Sequence, residues 1–233
     1  VGSRQGWAEA PYATVPCEPP GAEQIVAATA SDPRIKMLIL PGIYQARPAD
    51  VMRGEETQVA GFLALNPGFD GVLCIPGTHT KWVQVRAGRI IGFRTFMTGE
   101  IFALLAWYSV LRHGFAEADW DDVAFLDAFR ETLSRPETLS ADLFSIRAAG
   151  LLHDISGPQA RAQLSGLLLG IEMCGAQSYW RGKSISIIGA AELTRIYELA
   201  LSDLGVTAVC TDADAVTLAG LVSAWAQMRK TWT

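Results

Sequence analysis

Charge is scarce in this sequence: only 18% of its 233 residues are Asp, Glu, Lys or Arg, where about 25% is usual for a soluble domain. Half of the chain is apolar even before its 22 glycines are counted. Intrinsic disorder needs low hydrophobicity and high net charge, so it is excluded. Positive charge is scarcer still, with 19 Lys and Arg against 24 Asp and Glu and a net charge of −5. Nucleic acids and anionic membrane surfaces select a basic face, so neither is expected as a partner. Long apolar runs are missing as well. The longest, around 101–111 and 164–171, fall short of the roughly 18 uncharged residues of a membrane-spanning helix.

Cysteine is sparse too. Cys17, Cys74, Cys174 and Cys210 lie far apart without a CxxC pair, which predicts buried free thiols in a reducing compartment, the cytoplasm. His79, His113 and His153 share no ligand spacing, so no zinc site is expected and no metal ligand is assigned. The excess of apolar residues over charge predicts a covered face, by more of the same chain or by a second copy in a homodimer.

Punctuation divides what is present. Up to about residue 70, Pro11, Pro16, Pro19, Pro20, Pro33, Pro41, Pro48 and Pro67 imply short elements and turns. Ile35–Leu40 reads there as a short buried strand and Glu55–Leu65 as a helix. From 71 the pattern sharpens to strands at 72–75, 81–86 and 90–96, the second and third joined by an Ala87-Gly88 turn. A helix is predicted from Gly99 to about His113, capped by Thr98, with Ile101, Leu104, Leu105, Tyr108 and Leu111 as a buried stripe. Small helices follow to 157, then a long helix over 158–179. Its Gly166 and Gly170 permit close approach of another element, and the flanking Arg161, Gln163 and Glu172 argue against a membrane dimer motif. Strand, helix, strand and helix complete the order at 184–188, 192–204, 206–210 and 213–228. This is an α/β fold with a mixed sheet flanked by helices.

The turn Pro76-Gly77-Thr78-His79-Thr80-Lys81 combines a glycine, two hydroxyls and a lysine. It is either a polar hairpin turn or a cradle for an anion such as a polyphosphate. A second small-residue turn, Gly189-Ala190-Ala191, sits between a strand and a helix start. It is either a tight connection or a seat for a nucleotide. Gly182-Lys183-Ser184 is not a Walker A loop, because Gln177 stands where that loop needs glycine. In Asp50-Val51-Met52-Arg53-Gly54-Glu55-Glu56-Thr57-Gln58, an arginine precedes paired acids at a helix start. Arg53 suits a carboxylate, and an acid there suits a general base or simple helix capping. Gly2-Ser3-Arg4-Gln5-Gly6-Trp7 is a loop or the wall of a sugar pocket.

Taken together, Val1-Gly2-Ser3 with Gly6-Trp7, Val51 to Gln58, Pro76 to Val83, and Thr95 with Met97-Thr98-Gly99-Glu100 closely resemble the 2-dehydro-3-deoxygalactonokinases. The resemblance spans essentially the whole chain. It implies an actin/hexokinase-type fold of two RNase H-like lobes, here 1–70 for the remainder of the sugar lobe and 71–233 for the nucleotide lobe. It also implies ATP, Mg²⁺ and a sugar-acid substrate phosphorylated on its 6-hydroxyl in galactonate catabolism. Gly77, Thr78, His79, Thr80 and Lys81 match the second phosphate hairpin, and Gly189, Ala190 and Ala191 the adenosine turn. Glu55 is the expected base, with Glu56 and Asp50 as alternatives, and Arg53, Ser3, Trp7, Thr98 and Glu100 are expected at the substrate. The family opens with a hairpin of the type Asp-Trp-Gly-Ser-Thr, so an incomplete first lobe is expected. Another sugar or sugar-acid kinase of the superfamily, and a non-catalytic nucleotide-binding fragment, remain open readings.

Overall fold

The computed structural model describes residues 10–21, 24–115 and 120–231. The proline-rich beginning forms five short strands, β1 (Ala13–Thr14), β2 (Val26–Ala28), β3 (Met37–Ile39), β4 (Ile43–Gln45) and β5 (Asp50–Met52). β2 and β3 pair antiparallel, while β1 lies parallel to β4 and β4 antiparallel to β5. The strand expected over 35–40 is shorter at its start, since Ile35 is exposed. Helix α1 (Glu55–Leu65) follows, with Glu55 and Glu56 at its positive end.

The main sheet is built from β6 (Gly71–Ile75), β7 (Thr80–Arg86), β8 (Arg89–Phe96), β9 (Ile185–Gly189) and β10 (Ala208–Asp212). Its order is β10-β9-β6-β7-β8, with β6, β9 and β10 parallel and β7 antiparallel to both neighbours. The β7–β8 turn uses Ala87 and Gly88, both at positive φ (48° and 74°), the signature of a tight two-residue hairpin. Strand alternation then separates two cores. Val72, Cys74, Trp82, Ile185 and Ile187 face α3 (Asp122–Ser134), α5 (Gly157–Gly175), α6 (Gln177–Trp180) and α7 (Ala191–Asp203). Leu73, Ile75, Val83, Val85 and Ile188 face the other way, toward β4, β5, α1 and α8 (Ala213–Thr231). The early short strands and α1 therefore share a core with the main sheet.

Two helix crossings depend on glycine. A Cβ on Gly166 would overlap the Phe125 carbonyl, and one on Gly170 would meet Thr132, which is why α3 lies so close along α5. On the opposite face, Gly61 of α1 meets the Val216 carbonyl and Gly220 of α8 meets the Thr57 carbonyl. Helix α5 starts sharply because Ser156 and Gln159 form a capping box, with Pro158 in its first turn.

Helix α2 (Thr98–Tyr108) departs from expectation. Thr98 lies inside the helix, Met97 occupies the cap position, and the helix stops at Tyr108 before a separate 3₁₀ turn at Val110–Gly114. The stripe expected to be buried is so only in part: Ile101, Leu104 and Tyr108 are exposed, Tyr108 by 79%, while Leu111 is buried and Leu105 half-buried. Leu105 of the stripe does pack inward, together with Phe102 and Ala106, against α5 and its neighbours. A period of three and four locates an apolar face but does not say what covers it. The cysteines are all free, as expected, but only Cys74 is buried; Cys17 and Cys174 are half-buried and Cys210 is exposed. Among the described residues no helix is long and apolar enough to cross a membrane.

Gly166→Ala is expected to destabilise the fold by about 1–3 kcal/mol through overpacking at the α3 crossing. Gly150→Ala, in α4 (Leu139–Leu152) where a Cβ would meet nothing, is expected to stabilise it by roughly 0.5–1 kcal/mol. Urea unfolding of the two variants checks both signs.

Candidate active site

Strands β6 and β9 are adjacent and parallel, so the turns that leave their carboxyl ends emerge side by side. The Pro76–His79 turn follows β6 and the Gly189–Ala191 turn follows β9. They touch: a Cβ on Gly189 would lie 3.6 Å from Pro76 Cδ. Ligands of open α/β sheets bind beyond such strand ends.

The hairpin turn is docked onto α2. The Glu100 N–H donates to the Thr78 carbonyl at 2.9 Å. A Cβ on Gly99 would overlap the Gly77 carbonyl, so only glycine allows this approach. His79 pairs with the Glu100 carboxylate, both partly exposed. Gly77 itself has open space where a Cβ would stand, leaving its backbone accessible.

Beside this turn opens a cleft of about 300 Å³. Gly77 and Thr78 contribute to it from the hairpin, Thr98, Gly99 and Phe102 from α2, Arg161 and Ser165 from α5, and Glu192 and Leu193 from α7, with Trp120 ahead of α3. Gly189 is buried at the end of β9, while Ala190 and Ala191 are exposed at the start of α7, which lacks a side-chain cap. Glu192, in that first turn, reaches the cleft. Arg161 lies over the Phe102 ring at 5.4 Å, placing a cation and an aromatic face together on its wall.

Alternation along β7 sends the two remaining hairpin residues apart. Thr80 is buried, its hydroxyl 2.7 Å from Tyr197 Oη. Lys81 points to the opposite face, where Nζ lies 3.7 Å from Glu55 Oε1 at the start of α1. Two motifs far apart in sequence thus meet across one strand.

The three candidate acids have distinct surroundings. Glu55 accepts the Arg53 N–H at 2.9 Å through its other oxygen and remains partly exposed. Glu56 is buried and accepts the Gly54 N–H at 2.7 Å. Burial raises its pKa to about 7, against the lowering effect of nearby backbone N–H groups. Asp50 accepts from both the N–H and the hydroxyl of Thr95, at 2.7 and 2.6 Å, and so fastens β5 to β8. Arg53 is exposed and, among the described residues, forms no ion pair. Ser3 and Trp7 lie outside the described residues.

Sequence reasoning missed the polar centre behind the cleft. Glu172 of α5 is 1% exposed. It accepts from Trp82 Nε1 at 2.8 Å and Tyr197 Oη at 3.0 Å, and from the hydroxyl of Thr98. Its visible signal was a single carboxylate inside the apolar run Leu167 to Met173, a position that requires specific partners when buried. Trp120, Phe102 and Arg161 were also missed, because residues from three different elements converge there only after folding. Among the described residues, no group of three or more His, Cys, Asp or Glu is placed to hold a metal ion.

Comparison with known proteins defines the class first: a family of sugar-acid kinases. The family model for 2-keto-3-deoxy-galactonokinase matches residues 1–224, and the chain belongs to that family. A probable 2-dehydro-3-deoxygalactonokinase of Rhizobium meliloti is 41% identical, with 96% of this chain and 75% of that protein aligned. The 2-dehydro-3-deoxygalactonokinase of Escherichia coli is 36% identical over 91% of this chain and 72% of its own length. A solved Sinorhizobium meliloti structure, provisionally named as the same kinase, superposes with a TM-score of 0.88 at 40% identity, over 97% of this chain and 77% of that one.

Glu56 offers a test of the acid cluster. In the folded protein its neutral form is favoured, so its contribution to stability is full below about pH 4.5 and is lost as pH rises toward 7. Glu56→Gln lacks this loss, and its stability relative to the parent should rise by roughly 2–3 kcal/mol between pH 4.5 and 7.5. Urea midpoints at the two pH values measure the difference, and a pH-independent difference would contradict the burial of a titrating carboxyl.

Proposed function

We propose that this chain transfers the γ-phosphoryl group of ATP to the 6-hydroxyl of 2-dehydro-3-deoxy-D-galactonate, as a cytoplasmic enzyme of galactonate catabolism. The observation that carries the reading is the Lys81–Glu55 pair, which joins the phosphate hairpin to the acid-bearing start of α1. Phosphoryl transfer needs donor and acceptor brought together, and this pair sets a carboxylate beside the strand that leaves the hairpin, on the sheet face opposite the cleft. Family membership supports the substrate class.

The strand order of the main sheet, three antiparallel strands and then two parallel ones added beside the first, supports an RNase H-like lobe in a two-lobed kinase. The proposed boundary near residue 70 falls between α1 and β6, with α8 packed back over α1. The cleft residues fit a nucleotide. Accessible backbone at Gly77, the small Gly99, and the flat rings of Phe102 and Trp120 leave room for phosphates and a base, with the exposed Ala190 and Ala191 just before Glu192 of the cleft wall. Among the described residues no group of acids forms a protein cage for Mg²⁺; the ion would be held mainly by the nucleotide phosphates, whose charge it would offset. A second copy as partner is supported by the exposed apolar positions of α2, Ile101, Leu104, Trp107 and Tyr108.

In this reading the two turns hold the polyphosphate, Lys81 offsets its charge, and Arg53 takes the substrate carboxylate. Glu55 orients and deprotonates the attacking hydroxyl. Glu56 is its alternative, while Asp50 serves through Thr95. Glu100 holds α2 against the hairpin from which the substrate is approached, and Thr98 ties the same turn of α2 to Glu172 of α5.

In an ATP-coupled assay with the sugar acid, Glu55→Gln should lower kcat by about 10²–10⁴-fold, the usual worth of a general base. Near-parental turnover for Glu55→Gln with a large loss for Glu56→Gln would move the role by one residue. Arg53→Ala should raise KM for the sugar acid by at least about tenfold, the scale of a lost charge-assisted hydrogen bond, and KM for ATP far less. The reverse pattern would remove Arg53 from the substrate.

A further inference from the structure

Five side chains behind the cleft form one directed chain of hydrogen bonds. Tyr197 has a single phenolic proton, and the 3.0 Å contact to Glu172 uses it. The 2.7 Å contact between Thr80 and Tyr197 must then be donated by Thr80. Trp82 can only donate, and Thr98 donates its hydroxyl proton to the same carboxylate. Every proton in the set therefore points toward Glu172. Its donors come from β7 (Thr80 through Tyr197, and Trp82), from the first turn of α2 (Thr98) and from α7 (Tyr197). These elements carry the two turns described above, and Thr98 and Tyr197 also line the cleft.

We propose that Glu172 is a positioning residue of the nucleotide cleft, holding the β6–β7 hairpin, the first turn of α2 and helix α7 in one register. The inference rests on the kinase reading for its ligand, but its geometry does not. A carboxylate is a poor choice for simple packing, because an apolar side chain of similar volume would stabilise a core at least as well. Burial pushes its pKa up to about 7, against the lowering effect of Thr98, Trp82 and Tyr197. The other titratable groups facing it are Tyr197 and Cys74, both raised well above their usual values. Among the described residues no lysine, arginine or histidine pairs with it. What the carboxylate adds is four strong acceptor sites at one point, enough to fix three separate donors.

The test compares Glu172→Ala, Glu172→Gln and Tyr197→Phe. Glutamine can still accept from Trp82 through its carbonyl and bond the Thr98 or Tyr197 hydroxyl through its amide. Tyr197→Phe keeps the buried ring, and so the fold, while cutting Thr80 from Glu172. Glu172→Ala and Tyr197→Phe are expected to raise KM for ATP by about tenfold, the loss of one or two hydrogen bonds, with KM for the sugar acid changed by less than about twofold. Glu172→Gln is expected to recover most of the loss. Hydrogen exchange should accelerate over 76–81 and 191–197 in Tyr197→Phe and stay slow in the rest of the main sheet. Equal shifts in both KM values, unchanged KM for ATP in a folded Tyr197→Phe, or unchanged exchange in those turns would overturn the proposal. If calorimetry finds no Mg-ATP binding to the parent protein, the kinase reading fails, and the exchange comparison still decides whether Glu172 holds the turns.

Discussion

Strand β6 is the constraint on which the remaining structure depends. All five of its residues are buried, and it has hydrogen-bonded neighbours on both edges, β7 antiparallel and β9 parallel. Because successive side chains alternate, Val72 and Cys74 organise one core while Leu73 and Ile75 organise the other. A slip of one residue would exchange these two sets between the two cores. The register of this strand therefore fixes the helix layers and also decides that Thr80 meets Tyr197 while Lys81 meets Glu55.

The polar features of the site follow from that frame. Its two turns come together because β6 and β9 run the same way, and because small residues stand wherever backbone passes backbone: Gly99 beneath Gly77, Gly189 beside Pro76. Buried charge among the described residues is limited to Lys81 and the carboxyls Glu56 and Glu172. Glu56 and Glu172 are each satisfied by donors and each raised to about pH 7 by burial. They lie on opposite faces of the sheet, Glu172 in α5 bonded to Trp82 of the hairpin strand and Glu56 in α1 next to the Glu55 that pairs with Lys81.

Local patterns carried much of this in the sequence. The hairpin of 80–96, the Ala87-Gly88 turn, α1 and the close-packed glycines of α5 each have a short-range cause, in period-two alternation, positive φ or the absence of a Cβ. The candidate hairpin and acid cluster were visible because each is contiguous in sequence. Glu172, Arg161 and Trp120 were not, since their relation to the cleft exists only once α3, α5 and α7 have packed. The stripe on α2 was misread for the same physical reason. Ile101, Leu104 and Tyr108 recur with helical spacing, but spacing cannot distinguish a face packed on its own core from one left open.

The crossing of α1 with α8 has a consequence in time rather than in space. Thr57 and Gly61 are sealed by Val216 and Gly220, and Gln58 bonds Thr217 at a separation of 159 residues. Contacts so distant along the chain close late, after the entropy of a long loop has been overcome. The core over the Leu73 and Ile75 face of β6 is therefore complete only once α1 and α8, from such distant parts of the described chain, have met.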